Sequence, residues 1–108
     1  MANDPIEARR QELHEKLCVI LGSRNVYFQP PENIKIPNRA IVYQLSNIST
    51  RSADDKNYIK RNRYQVIFMT PDAGDTLYHQ IIDQFESCSF DRYYRFDNLN
   101  HYALDLYY

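Results

Sequence analysis

The chain has 108 residues, 44% of them hydrophobic and 25% charged, which is enough for one domain with its own core and ordinary for a soluble globular fold. Thirteen Lys and Arg stand against fourteen Asp and Glu, and a net charge of −1 argues against a protein that tracks polyphosphate over its whole surface. Cys18 and Cys88 have no partner at C-x-x-C spacing, so they read as two small buried hydrophobes in a reducing compartment and not as a disulfide framework or zinc site.

The first element is a helix over "NDPIEARRQELHEKLCVILG". Asp4 can cap it, Pro5 suits the first helical position, and Glu7 completes a capping box. Leu13, Leu17, Ile20 and Leu21 form one apolar stripe, and Gly22 is placed to end the helix. Its first half, with Glu7, Arg9, Arg10, Gln11 and Glu12, is polar nearly all round and is expected to project into solvent or against another chain.

Val26 to Gln29 reads as a short strand that Pro30 and Pro31 stop. "RAIVYQLSNIS" reads as a second strand, rich in β-branched and aromatic residues. "TRSADDKNYIK" is the most polar stretch, and "RYQVIFMT" beyond it is apolar on both faces, which predicts a central, covered strand. These two strands are expected to pair antiparallel around an extended hairpin, or arm.

A second helix is expected within "PDAGDTLYHQIIDQFESC", capped by Asp72 or Asp75, with Leu77, Ile81 and Phe85 on one stripe that Tyr78 and Ile82 widen. Two strands follow, with "DNLN" as their turn. Alternation places Phe90, Tyr94 and Phe96 on one face of the first, and Asp91, Tyr93 and Arg95 on the other. In the second, Tyr102, Leu104, Leu106 and Tyr108 face inward, opposite His101, Ala103, Asp105 and Tyr107. The whole reads as a single α+β domain, residues 1–108: a mostly antiparallel sheet of about five strands flanked by two helices, in the order α-β-β-β-α-β-β.

Chemical motifs are sparse. Gly22 and Gly74 are the only glycines, so no glycine-rich phosphate loop can form, and no nucleophile-elbow motif is present. His14, His79 and His101 each stand alone in their element, without the second ligand one turn away that a metal site needs. A Cys88–His101 nucleophile pair is conceivable if the last two strands pair, but nothing in the sequence supplies an oxyanion hole for it. The expectation is a protein that is not an enzyme, with no catalytic residue, cofactor or metal.

One basic-aromatic cluster, "KNYIKRNRYQV", sets Tyr58, Lys60, Asn62 and Tyr64 on one side of a strand, a partial match to a nucleic-acid platform. Asp54 and Asp55 lie just before it and repel phosphate. A solvated hairpin end is the plainer reading, and an arm that docks on a protein neighbour is a third.

Several strings together resemble a known family. "VYFQPP", "AIVYQL", "YIKRNRYQV" and "SFDRYYRFDNLNHYALDLYY" look like the tail terminator, or tail-to-head joining (tail completion), proteins of long-tailed phages and prophages. The resemblance spans about Leu13 to Tyr108. It implies a sheet flanked by helices, assembly as a homo-oligomer, a hexameric ring, and a ring that caps the tail tube, stops its polymerisation and docks on the head connector or stopper protein. It implies a virion location at the head-proximal end of the tail after assembly in the host cytoplasm. DNA would be only passing cargo, and no membrane and no cofactor are implied. The chain departs from the family pattern at Asn38 and Arg39 and at "TPDAGD", both in loops. The alternatives are another neck component, a head-completion or stopper protein, or a small nucleic-acid-binding regulator using Lys56 to Tyr64. With no apolar run of membrane-spanning length and no signal-peptide pattern at the charged start, a cytoplasmic site of synthesis is expected. Ten of the fifteen aromatic residues are tyrosines, side chains suited to half-buried surfaces and subunit contacts. The interface candidates are Arg51, Asp54, Asp55, Lys56, Tyr58, Lys60, Arg61, Tyr93 and Tyr107, most of them in the polar hairpin arm near residues 50–60.

Overall fold

A computed structural model describes the backbone of residues 5–52 and 58–108, and the side chains of 6–46 and 62–108. Helix α1 (Pro5–Leu21) leads into β1 (Val26–Phe28), β2 (Ala40–Ser52), β3 (Tyr58–Thr70), α2 (Leu77–Gln84), β4 (Cys88–Phe96) and β5 (Leu99–Tyr107). The five strands make one sheet in the order β1-β2-β3-β5-β4, parallel only between β1 and β2. The chain is thus an α+β domain with the expected order of elements.

Helix α1 stops where the sequence predicts. Gly22 takes a φ of 80° and its N–H donates to the Cys18 carbonyl at 2.8 Å, a left-handed cap that a residue with a Cβ adopts only at a cost. Asp4 lies outside the described residues. Leu13, Leu17 and Leu21 are buried, and Ile20 packs beside them at the edge of the core. After β1, Gln29 turns with a φ of 44°, and its side-chain oxygen accepts from the Leu45 N–H, so the parallel pairing is carried one position further by a side chain.

The pairing registers align three rows on one face of the sheet: Ile41–Phe68–Tyr102, Tyr43–Val66–Leu104, and Leu45–Tyr64–Leu106, buried throughout except at the exposed Leu45. Both helices sit on this face, and their stripes complete one core with it. Helix α2 is shorter than the periodicity suggests, since Phe85 is already extended at φ −108°, ψ 142°, yet Phe85 still enters the core. Its start is held by the Asp75 carboxylate, which accepts from the Leu77 N–H at 3.3 Å, while Asp72 instead closes a turn onto the Gly74 N–H.

Two expectations about strands are corrected. β3 is central, but only one of its faces is covered: Val66 and Phe68 are buried under the helices, whereas Ile67 and Met69 lie half-buried on a face where no helix packs. In β4 the simple alternation fails because the pairing with β5 slips between Phe90 and Arg92, leaving Asp91 as a bulge. One inserted residue swaps the faces beyond it. Phe90 therefore shares the helix side with Tyr93 and Arg95, while Tyr94 and Phe96 turn to the other side.

The last hairpin closes through Asp97 and Asn98, with φ of 55° and 62°, the pair of positive values that a tight two-residue loop requires. Beyond it Tyr102, Leu104 and Leu106 are buried as expected, and the Tyr108 ring meets Phe85 edge-on at 5.9 Å. Leu106 is fully buried, and truncating such a side chain costs about 3 kcal/mol, a large part of the roughly 5–15 kcal/mol that holds a domain folded. Removing Leu106 to Tyr108 is expected to unfold the domain; thermal melting followed by circular dichroism checks it, and an unchanged melting temperature would contradict the core placed here.

Candidate functional site

The polar side chains of the described residues are largely engaged in holding the helices on the sheet. Tyr43 is fully buried and its hydroxyl has two partners from α1: the Arg10 guanidinium donates to it at 3.1 Å, and His14 Nδ1 lies 2.8 Å away. Arg10 is always a donor, so the phenol proton is free to go to His14 Nδ1, which fixes a neutral imidazole. Glu7 completes the chain by accepting from Arg10 Nε at 3.0 Å. Burial pushes the Tyr43 hydroxyl up to about 12, with the Arg10 charge opposing it, so it remains protonated. His14 is pushed below its ordinary value, first by burial and then by the Arg10 charge.

At the other end of the sheet, Asp75 accepts from Arg39 Nε at 2.8 Å and from the Thr70 hydroxyl at 3.0 Å. Burial alone would raise its carboxyl, but those two bonds and the Leu77 N–H outweigh it and leave the value lowered. Asn100, almost wholly buried, donates to the Thr70 carbonyl at 3.1 Å and accepts from the Tyr93 hydroxyl at 2.6 Å. These networks are architectural: they satisfy buried polar groups and pin α1 to β2 and the α2 start to β3.

In the polar first half of α1, Glu7, Arg9, Gln11 and Glu12 are exposed as the sequence implies, while Arg10 is partly covered. Arg9 lies 4.6 Å from the centre of the Tyr108 ring, and Arg10 lies 4.5 Å from that of Phe28. Their aliphatic stems cover the core margin while the charged ends face aromatic rings. Cys88 and His101 are separated by the sheet itself, since Cys88 pairs with Leu106 on the helix side and His101 pairs with Tyr94 on the other. Burial, and then the nearby Asp105 charge, push the Cys88 thiol up to about 11, the opposite of an activated nucleophile. Among the described residues no group of three or more His, Cys, Asp or Glu is gathered as for a metal ion, and no helix is long and apolar enough to cross a membrane.

What remains open is a surface. β4 is an edge strand, and every residue from Ser89 to Phe96 is exposed. Its aromatics are the most prominent: Phe96 is 69% exposed, Tyr93 49%, Phe90 47% and Tyr94 37%. Arg92 and Arg95 stand among them, a mixture of aromatic and arginine side chains typical of interface centres. The face turned away from the helices adjoins this edge with half-buried Val42, Ile67 and Met69, and there His101 is buried with its ring stacked on Tyr94 at 4.7 Å. A second open feature is the β2–β3 hairpin. Its pairing runs on through Ile48–Asn62 to Ser52–Tyr58, beyond the last pair with β5 at Arg63–Tyr107, so it stands out from the sheet as two strands alone.

The predicted interface residues fall unevenly on these surfaces. The side chains of Arg51, Tyr58, Lys60 and Arg61 lie outside the described set, as do Asp54, Asp55 and Lys56 altogether, although the backbone places Arg51, Tyr58, Lys60 and Arg61 in the projecting hairpin. Tyr107 faces the helix-free side, as expected. Tyr93 does not; the bulge turns it to the helix side, where it bonds Asn100 while half its ring stays exposed. Tyr94, Phe96 and Arg92 are the residues that sequence reasoning missed. Of the nucleic-acid platform, Asn62 and Tyr64 are in the core at 8% and 3% exposure, which removes half of that row from any ligand. Comparison with protein-family models, with curated proteins and with solved structures gives no significant match.

The Tyr43 network makes a pH prediction. His14 titrates lower in the folded chain than its ordinary 6.5, so the unfolded chain binds more protons between the two values. Its contribution is complete above pH 6.5 and is lost as pH falls from there through the lowered folded value. Urea midpoints measured from pH 8 to pH 5 are expected to fall in the wild type. In Tyr43→Phe this part of the fall should shrink, on a baseline about 1–2 kcal/mol less stable because Arg10 and His14 each lose the hydroxyl as a partner.

Proposed function

We propose that this protein is a structural component of a long-tailed phage virion, a tail terminator that assembles as a hexameric ring, caps the tail tube and joins it to the head connector. The observation that carries the reading is the concentration of exposed arginine and aromatic side chains on β4 and the adjoining helix-free face, in a domain whose described polar networks are occupied in its own architecture. The sequence resemblance from Leu13 to Tyr108 supports the same assignment. A closed ring needs two different patches on each subunit that fit one another. The β4 edge and the β2–β3 hairpin, which projects from the strand ends beyond Arg63–Tyr107, are two different surfaces and suit that need.

On this reading the protein performs no catalysis and takes no cofactor. Its partners are copies of itself, the tube protein and a head-connector or stopper protein, with DNA passing through the ring without being read. The fold holds the surfaces in place, and the hairpin reaches a neighbouring subunit or ring.

The test is to mix the purified protein with polymerising tail-tube subunits from the same genome and image the product by electron microscopy. Capped tubes of limited length are expected; unaltered tube growth overturns the assignment. DNA or RNA affinity that falls steeply with added salt would favour the nucleic-acid regulator instead. Deleting Ser52 to Asn57 is expected to leave a folded protein with a melting temperature within a few degrees of the wild type, because its core pairs lie elsewhere, but one that no longer caps tubes. Normal capping by the deletion would show that the hairpin takes no part.

A further inference from the structure

We infer that the free protein forms a two-fold dimer in which the β4 edges of two copies pair antiparallel, with the dyad at Tyr94. β4 bonds to β5 alone, so alternate backbone N–H and C=O groups along its other side point away from the sheet. Edge strands are commonly protected by lysine, proline or a bulge, and here the bulge at Asp91 is the single such device. Past it, Arg92 to Phe96 hold an unbroken register with β5 and form a regular, exposed, five-residue edge.

The residue order in that segment, Arg-Tyr-Tyr-Arg-Phe, makes it complementary to itself. A dyad normal to the sheet must place one residue opposite its own copy and keep each pair on a common face. With Tyr94 at that point, Arg92 lies opposite Phe96 of the second copy, and Tyr93 lies opposite Arg95. Each arginine then meets an aromatic ring, and no arginine meets an arginine. Arg92, Tyr94 and Phe96 do so on the helix-free face, Tyr93 and Arg95 on the helix side. A dyad at Tyr93 would draw the bulged Asp91 into the ladder, where its face no longer matches that of Arg95. The pairing joins two five-stranded sheets into one of ten strands and covers Phe96, the most exposed aromatic ring among the described residues.

The inference concerns the protein in solution and stands on the strand alone, so its failure leaves the ring assignment where it was. Sedimentation velocity of the full chain across a range of concentrations is expected to show a monomer–dimer equilibrium. Tyr94→Lys, which sets two ammonium groups against each other on the dyad, should weaken it about tenfold or more with the circular dichroism spectrum retained. As a second measurement that keeps the strand neutral, Tyr94→Cys is expected to form a disulfide-linked dimer under mild oxidation. Arg92→Cys and Phe96→Cys should cross-link with each other in a mixture and not alone. A chain that stays monomeric at high concentration, or that cross-links through Tyr93→Cys in preference to Tyr94→Cys, overturns the proposal. So does an edge that takes up only an unrelated extended peptide.

Discussion

Leu13, Leu17 and Leu21 of α1 and Leu77, Ile81 and Phe85 of α2 all press on the same side of the sheet, and the other properties of the molecule follow from that one-sided closure. A helix of seventeen residues and one of eight cover the centre of one face, leave Phe90 and Tyr93 of β4 half exposed at its margin, and do not reach the second face. Strand faces therefore divide into a row that must be large and apolar and a row that is free to carry contacts. Tyr43, Val66 and Leu104 belong to the first, and the half-buried Val42 and Ile67 to the second.

The burial of polar groups follows the same division. Tyrosine in the covered rows brings a hydroxyl that must find a partner, and unpartnered burial costs about 1–3 kcal/mol. Tyr43 finds Arg10 and His14, and Tyr64 accepts from Asn62 at 3.2 Å. The Tyr43 bonds fix where α1 sits on β2, whereas the Asn62–Tyr64 bond lies within β3. Arg9 and Arg10, which look like solvent residues, are drawn onto the rings of Tyr108 and Phe28 for the same reason: the core margin is aromatic and has a face to offer a cation.

The open surfaces are what is left when that core is satisfied. A sheet whose last strand carries Phe90, Tyr93, Tyr94 and Phe96 in solvent exposes more aromatic area than stability alone explains, and large exposed apolar patches on small domains mark places of contact. The hairpin beyond Arg63 has a different character: two strands that run on past the last pair with β5, in the most polar part of the sequence.

Much of this was legible in the residues. Period-2 and period-3.6 patterns placed every strand and both helices, Gly22 marked the end of α1, and the inward face of β5 could be read by alternation, because each residue's direction there depends only on its position in a regular element. Three things depended on contacts between elements. The sequence of β4 does not show where Asp91 drops out of register, since a bulge is defined by the partner strand, and this is why Tyr93 was assigned to the wrong face and Tyr94 and Phe96 were overlooked. The apolar character of β3 could not say whether one face or two would be covered, because that depends on how many helices reach it and on which side. The direction of Arg9 and Arg10 was set by rings eighteen or more residues away in the chain. Local periodicity determined the elements; the pairing of strands and the side chosen by the helices decided which of their residues remain free to meet a partner.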